Sequence, residues 1–281
     1  MNCEICPRKC GVNRKEKCGF CNSKNLKVAK YMLHFWEEPI ISGTNGSGAI
    51  FFSGCNLKCV FCQNYEISQK NKGEEISTEK LVEIFKFFEK NNAHNINLVS
   101  PTQFTMEIID ALKIYKPKIP VVWNSNGYES AETIKLLKDF VDIYLVDLKY
   151  YSDNLAVSYS KAPNYFENAS KAILEMKNNQ PKDVFIDGIM QKGVIIRHLI
   201  LPTHYENSNC ILDWINNNLG NKTYISLMSQ YIPLNNAPKP INRKITPLEY
   251  KIVLKKAESL GFENCFCQEL ESANTNYIPK F

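Results

Sequence analysis

The sequence predicts an α/β fold on a parallel sheet, with a small cysteine-rich extension at the N-terminal end. Three observations carry this. From residue 49 onward, short apolar runs alternate six times with amphipathic stretches of ten or more residues, and strands joined by helices of that length pair in parallel through right-handed crossovers. The first 30 residues break the pattern, holding five cysteines among Lys, Arg and Asn. They offer too little apolar surface to fold without a metal or a docking partner. Finally, 281 residues at 44% hydrophobic and 22% charged suit one soluble α/β domain with an appendage.

The elements follow in order. AIFFSG (49–54) reads as a buried strand. STEKLVEIFKFFEKNNA (77–93) reads as a helix capped by Ser77 or Thr78, with Leu81, Ile84, Phe85 and Phe88 on one face. Further strand–helix pairs are NINLVS (95–100) with 105–115, IPVVWNS (119–125) with 131–140, and DIYLVDLK (142–149) with 165–178. GVIIRHLILP (193–202) precedes a helix over 208–219, and YISLMSQY (224–231) one over 247–261, where Gly261 suits a left-handed cap. Six such units make either a doubly wound sheet or a partial barrel. Both place ligands at the C-terminal ends of the strands, which here carry SGCNLKC, SPTQ, NSNG, DLK, PTH and SQY.

A net charge of +5 spread along the chain does not by itself argue for nucleic-acid binding; it reads as a solvated surface, and no nucleic-acid partner is expected. No apolar run approaches the roughly 20 residues of a membrane span and no signal peptide is evident, so a cytoplasmic protein is expected. Reduced thiols follow from that compartment. Eight of the eleven cysteines fall in the first 62 residues at short spacings, which favours metal ligation.

Cys55, Cys59 and Cys62 lie in the loop after the first strand. A closed zinc site needs four ligands and a closed iron–sulfur cluster four thiolates. Three thiolates in one loop therefore predict a vacant coordination position on a metal at the strand mouth. The competing reading is a structural zinc completed by a distant residue.

CNLKCVFC matches the C-x3-C-x2-C signature of the radical S-adenosylmethionine (SAM) enzymes, with Phe61 just ahead of the last cysteine. GCNLKCVFCQN looks most like the pyruvate formate-lyase activating-enzyme branch. CEICPRKCGVNR, HFWEEPIISGTNGSGAIFFSG, NINLVSPTQF, NSNGYES, DIYLVDLKY, IIRHLILP and SLMSQYIP extend the likeness to a subgroup of activating-enzyme homologues over nearly the whole chain. The resemblance implies a partial (β/α)6 parallel barrel over residues 31–281, after a metal-binding segment over 1–30. It implies a [4Fe–4S] cluster on Cys55, Cys59 and Cys62, with SAM chelating the unique iron. A low-potential donor of flavodoxin or ferredoxin type would reduce the cluster under anaerobic conditions. SAM would then yield methionine and a 5′-deoxyadenosyl radical that abstracts hydrogen. The substrate would be the glycine of a glycyl radical enzyme, or else a small molecule or peptide. A non-catalytic iron–sulfur or zinc protein is the alternative from another class.

The same resemblance suggests cofactor contacts. Thr102 in SPTQ stands where the superfamily has a Gly-Gly-Glu-like turn; the plainer reading is a helix start. Asn124, Ser125 and Asn126, followed by Gly127, resemble a segment beside SAM, though Asn-Gly is also a common turn. Asp147 and Lys149 share a strand side and suit the SAM amino and carboxylate groups, or form a plain surface pair. Arg197 resembles a family arginine that reaches the SAM carboxylate, while His198, on the opposite face, reads as structural. Gln230 and Tyr231 are substrate-side candidates. His34, Glu37 and Glu38 read as surface or capping residues, and Cys210, Cys265 and Cys267 as core or surface thiols.

Cys3, Cys6, Cys10, Cys18 and Cys21 supply four ligands with one to spare. Cys3, Cys6, Cys10 and Cys21 form one set, and Cys3, Cys6, Cys18 and Cys21 a zinc-ribbon-like alternative. Either makes a closed second metal site, for zinc or an auxiliary iron–sulfur cluster; free thiols in a mobile tail are the plainer reading.

Overall fold

The computed structural model describes residues 3–235, 237–270 and 273. The chain opens with β1 (Lys27–His34), α1 (Pro39–Ser42), β2 (Ser47–Phe52), α2 (Tyr65–Ser68) and β3 (Glu74–Glu75). It continues through α3 (Thr78–Lys90), β4 (Ile96–Val99), α4 (Thr105–Ile114), β5 (Val121–Ser125), α5 (Ala131–Leu136) and β6 (Ile143–Asp147). Then come α6 (Asp153–Ser160), α7 (Tyr165–Asn179), β7 (Val184–Ile186), β8 (Ile189–Leu199) and α8 (Tyr205–Leu219). β9 (Tyr224–Met228), α9 (Pro247–Ser259) and β10 (Cys265–Cys267) complete it.

All six strands expected from the alternation are present, as β2, β4, β5, β6, β8 and β9, with helices α3, α4, α5, α7, α8 and α9 between and after them. The helices form for local reasons. In α3, Ser77 accepts the N–H of Lys80 at 3.2 Å, and Leu81, Ile84, Phe85 and Phe88 are buried at helical spacing. After α9, Gly261 takes a φ of 69°, as the cap expectation required.

Strand order decides between the two architectures left open by the sequence. It runs β10-β9-β8-β6-β5-β4-β2-β1-β3, and the pairs from β2 through β9 are all parallel. A doubly wound sheet reverses its order at a switch point. Here each new strand is added on the same side, so right-handed crossovers put the crossover helices on one face and the other face becomes a barrel interior. The sheet is not closed. β1 pairs with β2 and β3 with β1, both antiparallel, and β10 adds in parallel beside β9 at the far edge.

The two faces carry different residues. Phe52, Leu98, Trp123, Tyr144, Ile196 and Leu227 meet the helices in the main core. On the inner face, Val122, Leu145 and Ile195 join Ile41 of α1 in a second cluster that fills the barrel floor. Two residues further along the same strand faces stand Asn124, Asp147 and Arg197. Each central strand thus turns from apolar to polar as it reaches its C-terminal end. No helix among the described residues is long and apolar enough to cross a membrane.

Candidate active site

A cleft of ≈ 570 Å³ opens at those polar strand ends. Its walls include Cys55, Cys59, Cys62, Phe61, Asn124, Ser125, Asn126, Asp147, Lys149 and Arg197, together with Gln230.

The three-cysteine loop leaves β2 through Gly54, whose φ is 80° and where a Cβ would strike the Ser23 side chain and the Cys21 carbonyl. Buried Gln103 holds the loop, its amide donating to the carbonyls of Ser53 (3.0 Å), Gly54 (3.2 Å) and Ser100 (2.9 Å). Asn56 donates to the Tyr128 carbonyl at 2.6 Å, and Phe61 packs edge-on against Tyr231 at 5.5 Å. Every thiol has a polar neighbour. Asn126 Nδ2 approaches Cys55 Sγ at 3.3 Å, Ser160 Oγ donates to Cys59 Sγ at 3.0 Å, and Cys62 Sγ lies 3.2 Å from Ser68 Oγ.

Burial pushes the Cys55 thiol up to about 12 and Cys59 to about 11, and raises Cys62 as well. Thiolates in this loop therefore call for a cation. Among the described residues no three His, Cys, Asp or Glu side chains are gathered onto one ion. A closed zinc site needs a fourth protein ligand, whereas three thiolates of a cluster bind separate irons and leave one iron open, which suits three thiols on one cleft. The donors aimed at the sulfurs also fit one, since such hydrogen bonds tune cluster potential.

Opposite the loop lies a charged network. Arg197 donates through Nε to Asp147 at 2.9 Å, through Nη1 to Glu37 at 3.1 Å and through Nη2 to Asn124 at 2.6 Å. Lys149 Nζ meets Asp147 at 2.6 Å. Burial alone would raise the Asp147 carboxyl, but Arg197 and Lys149 hold it below its ordinary value. Burial would likewise lower Lys149, and Asp147 and Cys59 reverse that. The Asp147–Lys149 pair is thus interior, not a solvated surface pair.

Several expectations need correction. Glu37 and Glu38 are not surface residues. Glu37 accepts from Asn97 and Asn124 as well as Arg197, and Glu38 is buried, its carboxyl raised by that burial. Both line the cleft, as does His34. The reason is that β1 runs beside β2 and delivers the following loop into the barrel. Thr102 does not reach the cleft; it is buried, and its hydroxyl donates to Glu129 at 2.7 Å. Tyr231 is buried too, donating to the Ile241 carbonyl at 2.6 Å. His198 needs no correction: it points to the helix side as the structural reading expected, between the Leu148 carbonyl (2.7 Å) and Ser208 (2.8 Å), and burial lowers it to about 4. Cys267 lines the cleft, 3.7 Å from Cys265.

Two positioning residues were not singled out from the sequence. Gln103 pins the cysteine loop, and Tyr165 donates to the carbonyls of Asn126 (2.8 Å) and Asp147 (3.0 Å), tying two strand ends together. A lone Gln and a helix-start Tyr carry no distinguishing pattern. None of the five N-terminal cysteines lines the cleft. Cys3, Cys6, Cys10 and Cys21 line a separate small cavity instead.

Comparison with known proteins agrees with this architecture. An uncharacterized protein of Methanocaldococcus jannaschii, MJ0674, is 34% identical over 93% of this chain and 76% of its own length. The pyruvate formate-lyase-activating enzyme of Clostridium pasteurianum is 24% identical over 58% of this chain and 66% of that enzyme. Streptococcus suis SuiB, solved bound to the precursor peptide SuiA, shares the fold with a TM-score of 0.53 at 14% identity, covering 78% of this chain. The chain spans about half the length of SuiB, 48%. The profile of the radical SAM superfamily matches residues 49–199, from β2 to the end of β8. That is the stretch that builds the cysteine loop and the Asp147–Arg197 network, and the chain belongs to the radical SAM superfamily.

Proposed function

We propose that the cleft binds SAM beside a [4Fe–4S] cluster held by Cys55, Cys59 and Cys62, and that the chain takes a hydrogen atom from a polypeptide substrate. The observation that carries this is the placement of three half-buried thiols, and no fourth from the N-terminal set, on one polar cleft at the strand mouths. A cluster held by Cys55, Cys59 and Cys62 would supply one electron for the reductive cleavage of SAM, the chemistry on which hydrogen abstraction depends.

The chain's own residues orient and enclose. Asp147 and Glu37 present carboxylate oxygens to a cationic group, while Lys149 and Arg197 present donors to a carboxylate. SAM carries both kinds of group. Asn124, Ser125 and Asn126 add short polar contacts on the same wall. The apolar floor around Ile41 keeps water from entering from below.

A polypeptide substrate is supported by Trp36 and Phe35 on the adjoining loop, 66% and 50% exposed, the first of them lining the cleft. It is supported also by relatives whose names point to protein or peptide partners. The glycine of a glycyl radical enzyme is the narrower form of this reading, with a flavodoxin- or ferredoxin-type reductant. In the alternative reading, with a small-molecule or peptide substrate, an auxiliary cluster would bind substrate or accept an electron; none of the N-terminal cysteines lines the cleft.

Anaerobically reconstituted protein given dithionite and SAM should release 5′-deoxyadenosine and methionine. Cys59→Ala should release neither. An intact cluster that leaves SAM uncleaved overturns the enzymatic reading and favours a non-catalytic iron–sulfur protein.

A further inference from the structure

The N-terminal segment is ordered by contacts that its own apolar content does not explain. No residue from 3 to 22 is buried. Yet the Ile5 carbonyl accepts from Ser130 Oγ at 3.2 Å and Thr133 Oγ1 at 2.5 Å, Arg8 Nε donates to the Asn56 carbonyl at 2.9 Å, and Arg14 donates to the Gln103 carbonyl. The segment folds back on itself, with Cys3 N–H bonded to the Val12 carbonyl at 2.9 Å and Gly11 N–H to the Cys3 carbonyl at 3.0 Å. Lys9 and Gly11 take φ of 40° and 60° to make this turn.

These turns bring Cys3, Cys6, Cys10 and Cys21 around a cavity of ≈ 20 Å³ against the barrel, which Cys18 does not line. The thiols surround the cavity without yet converging on one point. Gly19 is bare where a Cβ would lie 2.8 Å from Cys10 Sγ and 3.9 Å from Cys21 Sγ. Arg8 and Arg14 are the cations of this wall. Arg14 Nε and Nη2 are buried with no acceptor. Glu107 pairs with Nη1 at 3.9 Å, which leaves Nε and Nη2 idle beside the four thiols, and buried N–H groups normally find an acceptor.

We propose that Cys3, Cys6, Cys10 and Cys21, and not Cys18, form a closed four-thiolate metal centre behind the cluster loop, with Arg8 and Arg14 balancing its negative charge. Zinc and a [4Fe–4S] cluster share this ligation, and in either form the thiolates accept the idle Arg14 N–H groups. The centre also has a structural output. Cys55 N–H donates to the Cys21 carbonyl at 3.1 Å, so fixing Cys21 fixes the first cysteine of the cleft. Asn56 borders both sites, since it lines the N-terminal cavity and accepts from Asn126 at 2.8 Å.

The test is independent of the chemistry in the cleft. Full-length protein carrying Cys55→Ala, Cys59→Ala and Cys62→Ala is purified anaerobically, reconstituted with zinc or with iron and sulfide, and analysed for metal and acid-labile sulfide. One zinc per chain without sulfide, or about four irons with matching sulfide, supports the centre and identifies its form. A chain that retains neither overturns it. In the same background Cys10→Ser should lose the metal and exposed Cys18→Ser should keep all of it. Loss of metal from a folded Cys18→Ser protein, judged by its melting transition, overturns the ligand set in favour of the zinc-ribbon-like one.

Discussion

Arg197 is the residue on which the charges of the cleft balance. Replacing it with Met leaves Asp147 and Glu37 buried beside a single remaining cation, Lys149. Breaking a buried ion pair from one side costs roughly 3–5 kcal/mol. Arg197→Met should therefore lower the denaturation midpoint and abolish SAM binding in equilibrium dialysis, and Arg197→Lys should recover only part of each, because an ammonium cannot reproduce the three-way fork. An unchanged midpoint would mean that the network adds nothing to the fold. Glu129 offers a second test at this scale. One of its oxygens accepts from Thr102 (2.7 Å) and Trp123 (3.3 Å), the other has no partner, and burial pushes the carboxyl up to about 7. The folded chain thus keeps a proton that the unfolded chain releases near 4.5. Stability should fall as pH rises between those values and level off above 7, by about 3 kcal/mol in all. Glu129→Gln should remove that slope, read as the difference between variant and parent midpoints across the pH series. Arg197 was legible from its strand position and its likeness to a family arginine. Its partner Glu37 was not, because two glutamates before a proline read as surface. The usable signal was indirect: a buried arginine with one strand carboxylate needs a second acid from outside the strands.

Elements were legible where their period was long and clean, as in α3 and the central strands. β3, β7 and β10 hold two or three residues each, too few to show any period. β1 reads KVAKYMLH, and its half-buried pattern lacks regular alternation because one face meets the barrel rim and not a full core. The closing helix shows how much a few polar residues can specify. In α9, Thr246 Oγ1 accepts the Glu249 N–H at 3.2 Å while Glu249 accepts the Thr246 N–H at 2.7 Å, a reciprocal cap. Thr246→Ala should cost about 1 kcal/mol in thermal or chemical melts. Glu249 also accepts from Arg243 and from the Thr203 N–H, which joins α9 to the loop after β8. The hydrogen bond from Arg243, with those from the backbone, holds its carboxyl down at about 2. Its contribution is complete above about 4.5 and should be lost as pH falls toward 2, and Glu249→Gln should show a shallower acid limb than the parent. If the two acid limbs coincide, the cap does not hold the carboxylate in its charged form.

At the scale of the molecule, the alternation of strands and helices left two architectures open, and only the strand order separates them. That order depends on which strands pair, a long-range fact that no local pattern encodes. It has a functional consequence, because a singly wound sheet gives its inner face to the core and the site together. Ile41 on the barrel floor packs with Val122, Leu145 and Ile195, each two residues below Asn124, Asp147 or Arg197. The link continues through α1, where Ser42 Oγ accepts the Glu37 N–H at 3.1 Å and so sets the acid that meets Arg197. Ile173 of α7 is equally buried but belongs to the helix-side core. Ile41→Ala and Ile173→Ala should each cost roughly 2–5 kcal/mol through lost burial and a residual cavity. Their effects on the cleft should diverge. Ile41→Ala lets α1 settle, moves Glu37 and should weaken SAM binding several-fold in calorimetry of the reconstituted protein. Ile173→Ala should lower the melting temperature and leave SAM affinity unchanged. Equal affinities in the two variants would mean that the barrel floor supports the fold without setting the geometry of the charges above it.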